Sequence, residues 1–354
     1  MQVRSDEALE YLRRIMPGHK ALGLLAQKDF ESWVAESGEH VRNKYFTGCW
    51  IVSPRENFFS RRTCFFVHPR LEPRNRANDF LASLVGNRGF QSMCSSLSAA
   101  GFAVIYFVAH SRLDESRIAD IEWSGYRYRN EQLDGLDVGK FFARWGGRGR
   151  ASRGKPWEGV AGRRMSELGA ESLTSILLPQ LFYNDLLKTT YRVSTQDPYD
   201  VDGFIISFDG KVFPIEIKEK FPFDSAMGPT LGVDAGRVLM MLRIALPMDG
   251  NAFYIVREVG ESKERELVGW KITTLDQIVM KCSWNLQAGG PGMASSAGGA
   301  GTQTSTILLP YGTFSNMSPS TFSEENLRPL HKLSDSVKRQ AQHFLTDLER
   351  MFAV

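Results

Sequence analysis

The sequence predicts an α/β chain, a mixed sheet flanked by helices, with an additional N-terminal α+β domain. Three observations predict it. Asp209-Gly210 sits between two apolar, β-prone runs, Phe204 to Phe208 and Val212 to Ile217, which is the strongest short-range hairpin signal. Around that hairpin, residues 166–281 read in the order helix, hairpin, helix, strand. In residues 1–140, by contrast, helical and strand patterns mix without a repeating βα period. At 354 residues the chain can bury two ordinary cores, and 42% hydrophobic with 23% charged residues are globular proportions.

In chain order, residues 5–16 read as an amphipathic helix with Ser5 as N-cap and Leu9, Leu12 and Met16 on one face, stopped by Pro17-Gly18. A second helix carries Leu24, Leu25, Phe30 and Trp33. Two strand-like runs, Tyr45 to Val52 and Thr63 to His68, flank a polar turn around Pro54-Arg55. Residues 75–86 and 89–100 read as helices, and Phe102 to Ala109 as a fully buried strand. The composition then shifts. Residues 123–129 (Trp-Ser-Gly-Tyr-Arg-Tyr-Arg) alternate aromatic and basic side chains, and residues 141–150 do so again on a glycine-rich backbone. Arginines reach phosphates, and Trp or Tyr stacks on exposed bases. Arg127, Arg129, Arg144, Trp145, Arg148, Arg150, Arg153 and Lys155 are therefore candidate nucleic-acid contacts. A basic interdomain linker over 141–165 explains the same composition, and the two readings are compatible.

From Ser166 a helical pattern runs to 188, with Pro179 expected to kink or divide it. Glu171 lies in its first turns, where an acid is favoured by the helix dipole whatever else it does. After the hairpin, residues 232–243 read as a helix in which Asp234 and Arg237 are accessory candidates. Strands follow at Ala252 to Arg257 and Leu267 to Ile272, then a short helix over Thr274 to Lys281. Residues 286–305 are a low-complexity Gly/Ser-rich loop expected to be flexible. The C-terminal segment, 306–354, ends in a helix over 334–352 whose Val337, Ala341, Phe344, Leu348 and Met351 form a stripe expected to dock as core.

The second hairpin strand places Glu216 and Lys218 two residues apart, so both side chains leave the same face while Ile215 and Ile217 leave the other. Asp202, at the start of the first strand, adds a second carboxylate. Two carboxylates and a main-chain carbonyl form a hard oxygen set suited to Mg²⁺. A cationic lysine beside them can orient a water and stabilise charge that develops on a phosphate. One geometric condition applies. A two-residue loop at Asp209-Gly210 would pair Phe208 with Lys211 and set Asp202 opposite Ile217, on the wrong face. The site requires a bulge, with Gly210 in the left-handed conformation, or a break at Gly203.

An aspartate, a short hairpin and then Glu216-Ile217-Lys218 resemble the PD-(D/E)xK superfamily of metal-dependent nucleases. The stretch Glu-Leu-Gly-Ala-Glu171 that opens a helix upstream, and the gap from Asp202 to Glu216, are similar to its nuclease-related domain branch. The resemblance covers about residues 160–285; Val201 stands where the superfamily label has proline, a loosely kept position. It implies a restriction-endonuclease-like fold, with Asp202, Glu216, the carbonyl of Ile217 and Glu171 as metal ligands. Asp202, Glu216, Lys218 and Glu171 are the implied catalytic set, and Mg²⁺ is the implied cofactor, with Mn²⁺ as substitute. The implied activity is hydrolysis of DNA phosphodiesters, RNA being the other polymer such a site can take. A restriction or phage-defence endonuclease is the leading expectation. A junction resolvase, a repair nuclease or a transposon end-cleaving subunit would use the same site, and a non-catalytic nucleic-acid-binding protein would keep only the fold.

Charge distribution agrees with a polyanionic partner. Residues 1–165 hold 26 Lys and Arg against 18 Asp and Glu, and residues 166–354 hold 17 against 22, within a net charge of +3. Cys49, Cys64, Cys94 and Cys282 form no close pair in sequence, which excludes a zinc knuckle or a disulfide framework and fits a reducing, cytoplasmic setting. No run approaches a membrane span and the start has no signal-peptide character, so no membrane partner is expected. Duplex cleavage favours a homodimer, because one such site cuts one strand at a time, although the sequence shows no interface signal.

Overall fold

A computed structural model describes residues 1–54, 62–74, 77–143, 145, 157, 159–193, 195–261, 263–282, 287–288 and 305–352. The chain divides into two compact units, Met1–Ser32 with Thr47–Asp200, and Trp33–Phe46 with Val201–Val354. Both are mixed α/β. The expected boundary at 165 is not where they divide. The helix Ala170–Leu181 buries Leu173, Ile176, Leu177 and Leu178 in the core of the first unit, and this apolar face holds it there.

The sheet of the first unit has the order Tyr45–Pro54, Arg62–Pro73, Phe102–Ser111, Glu122–Arg129, Gln132–Leu136. Its pairings run antiparallel, parallel, antiparallel, antiparallel. Helices Ala77–Val85 and Arg88–Ala99 make the crossover that parallel neighbours need. The first two expected helices are present as Ser5–Ile15 and Gly18–Glu36, but Arg4 rather than Ser5 holds the first helix's N-cap position. Residues 123–129 are a sheet strand rather than part of a shifted, linker-like composition, because their alternation matches the strand period. The expected helix from Ser166 starts at Ala170. Pro179 does not divide it: a π-helical segment, Phe182–Thr190, continues the turn. The segment 146–156 lies outside the described residues.

In the second unit the sheet has the order Ser315–Asn316, Leu267–Thr274, Phe253–Val259, Val212–Lys220, Thr195–Ile206, the last strand entering this unit at Val201. Starting from that last strand, the pairings are again antiparallel, parallel, antiparallel, antiparallel. A smaller sheet joins Phe223–Ser225, Gly228–Asp234, Ser305–Pro310 and Gln287–Ala288. Residues 232–234, expected to open a helix, are strand instead, because Leu231 and Val233 alternate into the core and pair with residues 306–310 far down the chain. The helix proper is Ala235–Ala245, capped by Asp234, whose Oδ1 accepts from the N–H groups of Gly236 at 2.8 Å and Arg237 at 3.4 Å. The helix Asp335–Phe352 docks Val337 and Ala341 as expected. The Gly/Ser-rich loop lies outside the described residues over 289–304. No helix among the described residues is long and apolar enough to cross a membrane.

The two units thus share one sequence of strand directions. In the first, Cys49 pairs with Phe66 across the hairpin strands, and Phe66 with Tyr106 across the parallel pair. In the second, Glu216 pairs with Tyr254 across the parallel pair, and one step beyond the Gly203–Ile215 pair of the hairpin Glu216 faces Asp202.

Gly203 shows how tightly the second sheet closes on its first strand. A Cβ there would lie 2.7 Å from Tyr45 Cε2, 3.0 Å from Ile215 Cδ1 and 3.1 Å from the Phe46 carbonyl oxygen. The carbonyl is backbone and cannot step aside. Gly203→Ala should destabilise the protein by about 1–3 kcal/mol, seen as a lower urea midpoint at unchanged slope.

Candidate active site

The hairpin meets the geometric condition set by its sequence. Ser207 N–H donates to the Lys211 carbonyl at 2.9 Å and Gly210 N–H to the Ser207 carbonyl at 3.0 Å, so the loop is the three residues Phe208, Asp209 and Gly210. Gly210 has φ 81°, the left-handed conformation that a glycine adopts without steric cost. The extra loop residue shifts the register by one: Ile206 pairs with Val212 and Gly203 with Ile215. Asp202 is thereby brought to the face of Glu216 and Lys218.

The side chains converge accordingly. Asp202 Oδ2 accepts from the Ile217 N–H at 2.7 Å. Lys218 Nζ lies 2.5 Å from Glu216 Oε1 and 3.7 Å from Asp202 Oδ2. Arg237 Nε, from the first turn of the capped helix, lies 3.6 Å from Glu216 Oε1. The Glu216 side chain is 0% exposed and that of Asp202 1%, whereas Lys218 keeps 30%. The cluster is therefore a pair of buried carboxylates reached from outside past a lysine. N–H and C=O of one strand residue face the same neighbouring strand, so the Ile217 carbonyl also lies on the Asp202 side. Tyr254 packs beside Glu216; burial and the charges of Glu216, Asp234 and Asp202 push its hydroxyl well above the usual range and keep it protonated.

Glu171 stands apart from this account. It belongs to the first unit, its side chain is 77% exposed, and Arg70 Nε lies 3.6 Å from its Oε1. Of the expected nucleic-acid contacts, Arg129 is exposed at the end of its strand, and Arg127 is half-buried with its guanidinium 5.8 Å from the Phe141 ring. Both line a cavity of about 560 Å³ together with Ser95, Ser98 and Glu131. Trp145 has a packing role, with its ring 5.5 Å from Phe65 and 5.8 Å from Phe141. Arg144, Arg148, Arg150, Arg153 and Lys155 lie outside the described residues.

Two members of the site were not singled out from sequence or were ranked low. Arg237 was accessory, and its place became visible only once Asp234 was seen to cap the helix. Lys220 was missed, although the period of two that joins Glu216 to Lys218 extends to it. Among the described residues no three His, Cys, Asp or Glu side chains group closely enough to hold a metal. Asp202 and Glu216, with the Ile217 carbonyl, supply two carboxylates and one backbone oxygen. That donor set fits a hard divalent ion that retains waters. No family model matches the chain, and neither does a curated protein or a solved structure.

Burial and the neighbouring Lys218 charge push the Lys220 ammonium from the ordinary 10.5 down to about 8, against the opposing pull of Asp234 and Glu216. A base with a depressed pKa binds fewer protons folded than unfolded, so the cost of burying its charge is present at neutral pH and is relieved as pH rises from about 8 towards 10.5. Competitive acetylation read by mass spectrometry should show Lys220 reaching its limiting reactivity above about pH 8. Exposed lysines should keep gaining to about 10.4.

Proposed function

We propose that the second unit hydrolyses phosphodiester bonds of DNA with a divalent metal ion, Mg²⁺ or Mn²⁺. The observation that carries this reading is the meeting of Asp202, Glu216 and Lys218 on one face of a bent hairpin, with both carboxylates buried and the lysine at the entrance. The order helix, hairpin, helix, strand, and the spacing of the three side chains, resemble the PD-(D/E)xK nucleases. A restriction or defence endonuclease is the form of the activity we favour.

Asp202, Glu216 and the Ile217 carbonyl would hold the ion. When bound, Mg²⁺ lowers the pKa of a coordinated water and offsets charge at the phosphate. The protein's own residues do the rest. The Ile217 N–H fixes one oxygen of Asp202 and so sets the direction of the other. Arg237 holds Glu216 from the helix side, and the Asp234 cap in turn orients the turn that carries Arg237. Lys218 pairs with Glu216 and keeps 30% of its side chain exposed, so on the open side it can orient an attacking water and stabilise negative charge on the phosphate oxygens. Burial of the carboxylates excludes bulk water, which strengthens each of these interactions.

Plasmid DNA incubated with the purified protein and Mg²⁺ should be nicked or linearised. Asp202→Asn, Glu216→Gln and Lys218→Met should each lower the rate by at least about a hundredfold, the scale of losing one preorganised electrostatic group. Undiminished cleavage by Asp202→Asn or Lys218→Met would sink the assignment. Matched RNA run beside the DNA decides the polymer.

A further inference from the structure

Beyond the carboxylates, the same strand carries a second cation. Glu216, Lys218 and Lys220 alternate onto one face, and Lys220 pairs in register with Glu258 at the outer end of the sheet. Among the described residues Lys220 makes no hydrogen bond or ion pair. The acid between the two lysines does not oppose them. Glu219 points to the other face, where Arg257 Nη1 donates to it at 2.8 Å and Arg265 donates as well. Lys218 and Lys220 are thus two successive cations on one line, the inner one ion-paired with the carboxylates and the outer one half-buried and only drawn by the charges of Asp234 and Glu216.

Directly after Lys220 the chain enters the small hairpin of Phe223–Ser225 and Gly228–Asp234. Phe221 is 38% exposed, Phe223 41% and Met227 49%. Each of these side chains keeps a substantial part of its surface open to solvent. The turn that presents them is pinned. Met227 N–H donates to Ser225 Oγ at 3.1 Å, Ser225 Oγ–H donates to the Gly228 carbonyl at 3.2 Å, and Thr230 Oγ1–H donates to the Phe223 carbonyl at 3.2 Å. A row of cations followed immediately by rigid, exposed aromatic rings is the composition that single strands select. Phosphates follow the cations, and bases freed from their stack find a π-face. A fully paired duplex offers no such face to a ring.

We infer that Lys220 with Phe221 and Phe223 grips an unstacked stretch of DNA strand beside the scissile phosphate, so that the substrate class is single-stranded or locally unpaired DNA. This rests on the hydrolytic reading for the word scissile, but the binding itself can be tested alone.

Fluorescence anisotropy of a labelled single-stranded oligonucleotide, and of the same sequence fully paired, is to be measured in EDTA for the wild type, K220A, K220R and F221A/F223A. The wild type should prefer the single strand. F221A/F223A should weaken single-strand binding about tenfold and leave duplex binding unchanged. K220A should flatten the slope of log affinity against log salt by about 0.7, the value of one phosphate contact on a single strand, and K220R should restore it. Mg²⁺- and Mn²⁺-dependent cleavage of bubbled and fully paired DNA is measured alongside, with Asp202→Asn as control. Wild-type preference for duplex, or variants that bind the single strand like the wild type, overturns the inference; if Asp202-dependent cleavage persists, hydrolysis still stands. Binding that is lost in the variants while no metal supports cleavage overturns hydrolysis and leaves the grip in place.

Discussion

A carboxylate taken out of water costs several kcal/mol unless a donor or a cation meets it. Asp202 and Glu216 are both taken out, side by side, and the surrounding structure answers that cost. Ile217 N–H meets the first, Arg237 reaches the second, and Lys218 approaches both. Each of these contacts depends on a backbone decision made elsewhere. The three-residue loop with left-handed Gly210 sets the register that turns Asp202 inward. Gly203, closed in by Tyr45 and the Phe46 carbonyl, lets the sheet pass close beside that residue. The Asp234 cap fixes where the helix begins and hence where Arg237 points. A polar centre of this kind gives the fold no stability that apolar packing could not give better, which is a reason to look for a chemical use.

The first unit shows what the same strand directions look like without that centre. Across its own hairpin and parallel pairs it brings together Cys49, Phe66 and Tyr106. Phe66 and Tyr106 stack with ring centroids 6.3 Å apart, so the parallel pair is held by ring packing where the second unit has a carboxylate beside a phenol. Burial pushes the Cys49 thiol far above its usual range, with Cys64 as its hydrogen-bond partner and Cys94 near enough to add to the effect. A neutral, protonated thiol is no ligand for a hard ion. His68, two residues on from Phe66, is spent on Tyr106 at 3.0 Å and Glu72 at 3.0 Å. Burial holds it neutral, down to about 4. One chain therefore contains two versions of one strand plan and one version of the carboxylate cluster.

That likeness was not legible in the sequence, and the reason is physical. Strand directions are set by alternation and loop length, which many different side chains satisfy, so no residue pattern announces them. The close approach of Cys49 to Cys64 was hidden for a related reason: their separation along the chain says nothing about a cross-strand diagonal. The hairpin was legible because turn chemistry is local. Asp209-Gly210 demanded a left-handed residue, and the requirement that Asp202 share a face with Glu216 demanded the extra loop residue that the structure has. Helices with a strong apolar face, such as Ser5–Ile15 and Asp335–Phe352, were legible as well. Residues 232–234 of the strand Gly228–Asp234 were misread as the start of a helix because the strand's partner lies at 305–310, beyond the Gly/Ser-rich segment, and no local pattern can announce such a pairing. Glu171 was placed by analogy with a helical acid; the apolar face of its own helix instead commits it to the first unit.

Charge arithmetic at the site supplies one further constraint. Asp202 and Glu216 bring two negative charges, and Lys218 and Arg237 bring two positive ones. These four side chains are balanced without any ion. On the hydrolytic reading a divalent cation entering alone would leave the buried cluster with an excess of two positive charges in a poorly solvated place, which is unfavourable. The excess is relieved if Lys218, which keeps 30% exposure, turns its ammonium from Glu216 to a phosphodiester oxygen arriving from the open side. On that reading the protein's own charge balance would couple occupation of the carboxylates to the arrival of an anionic strand. On the same reading Lys220, next along the same face, would extend that coupling outward by meeting the strand beside Lys218.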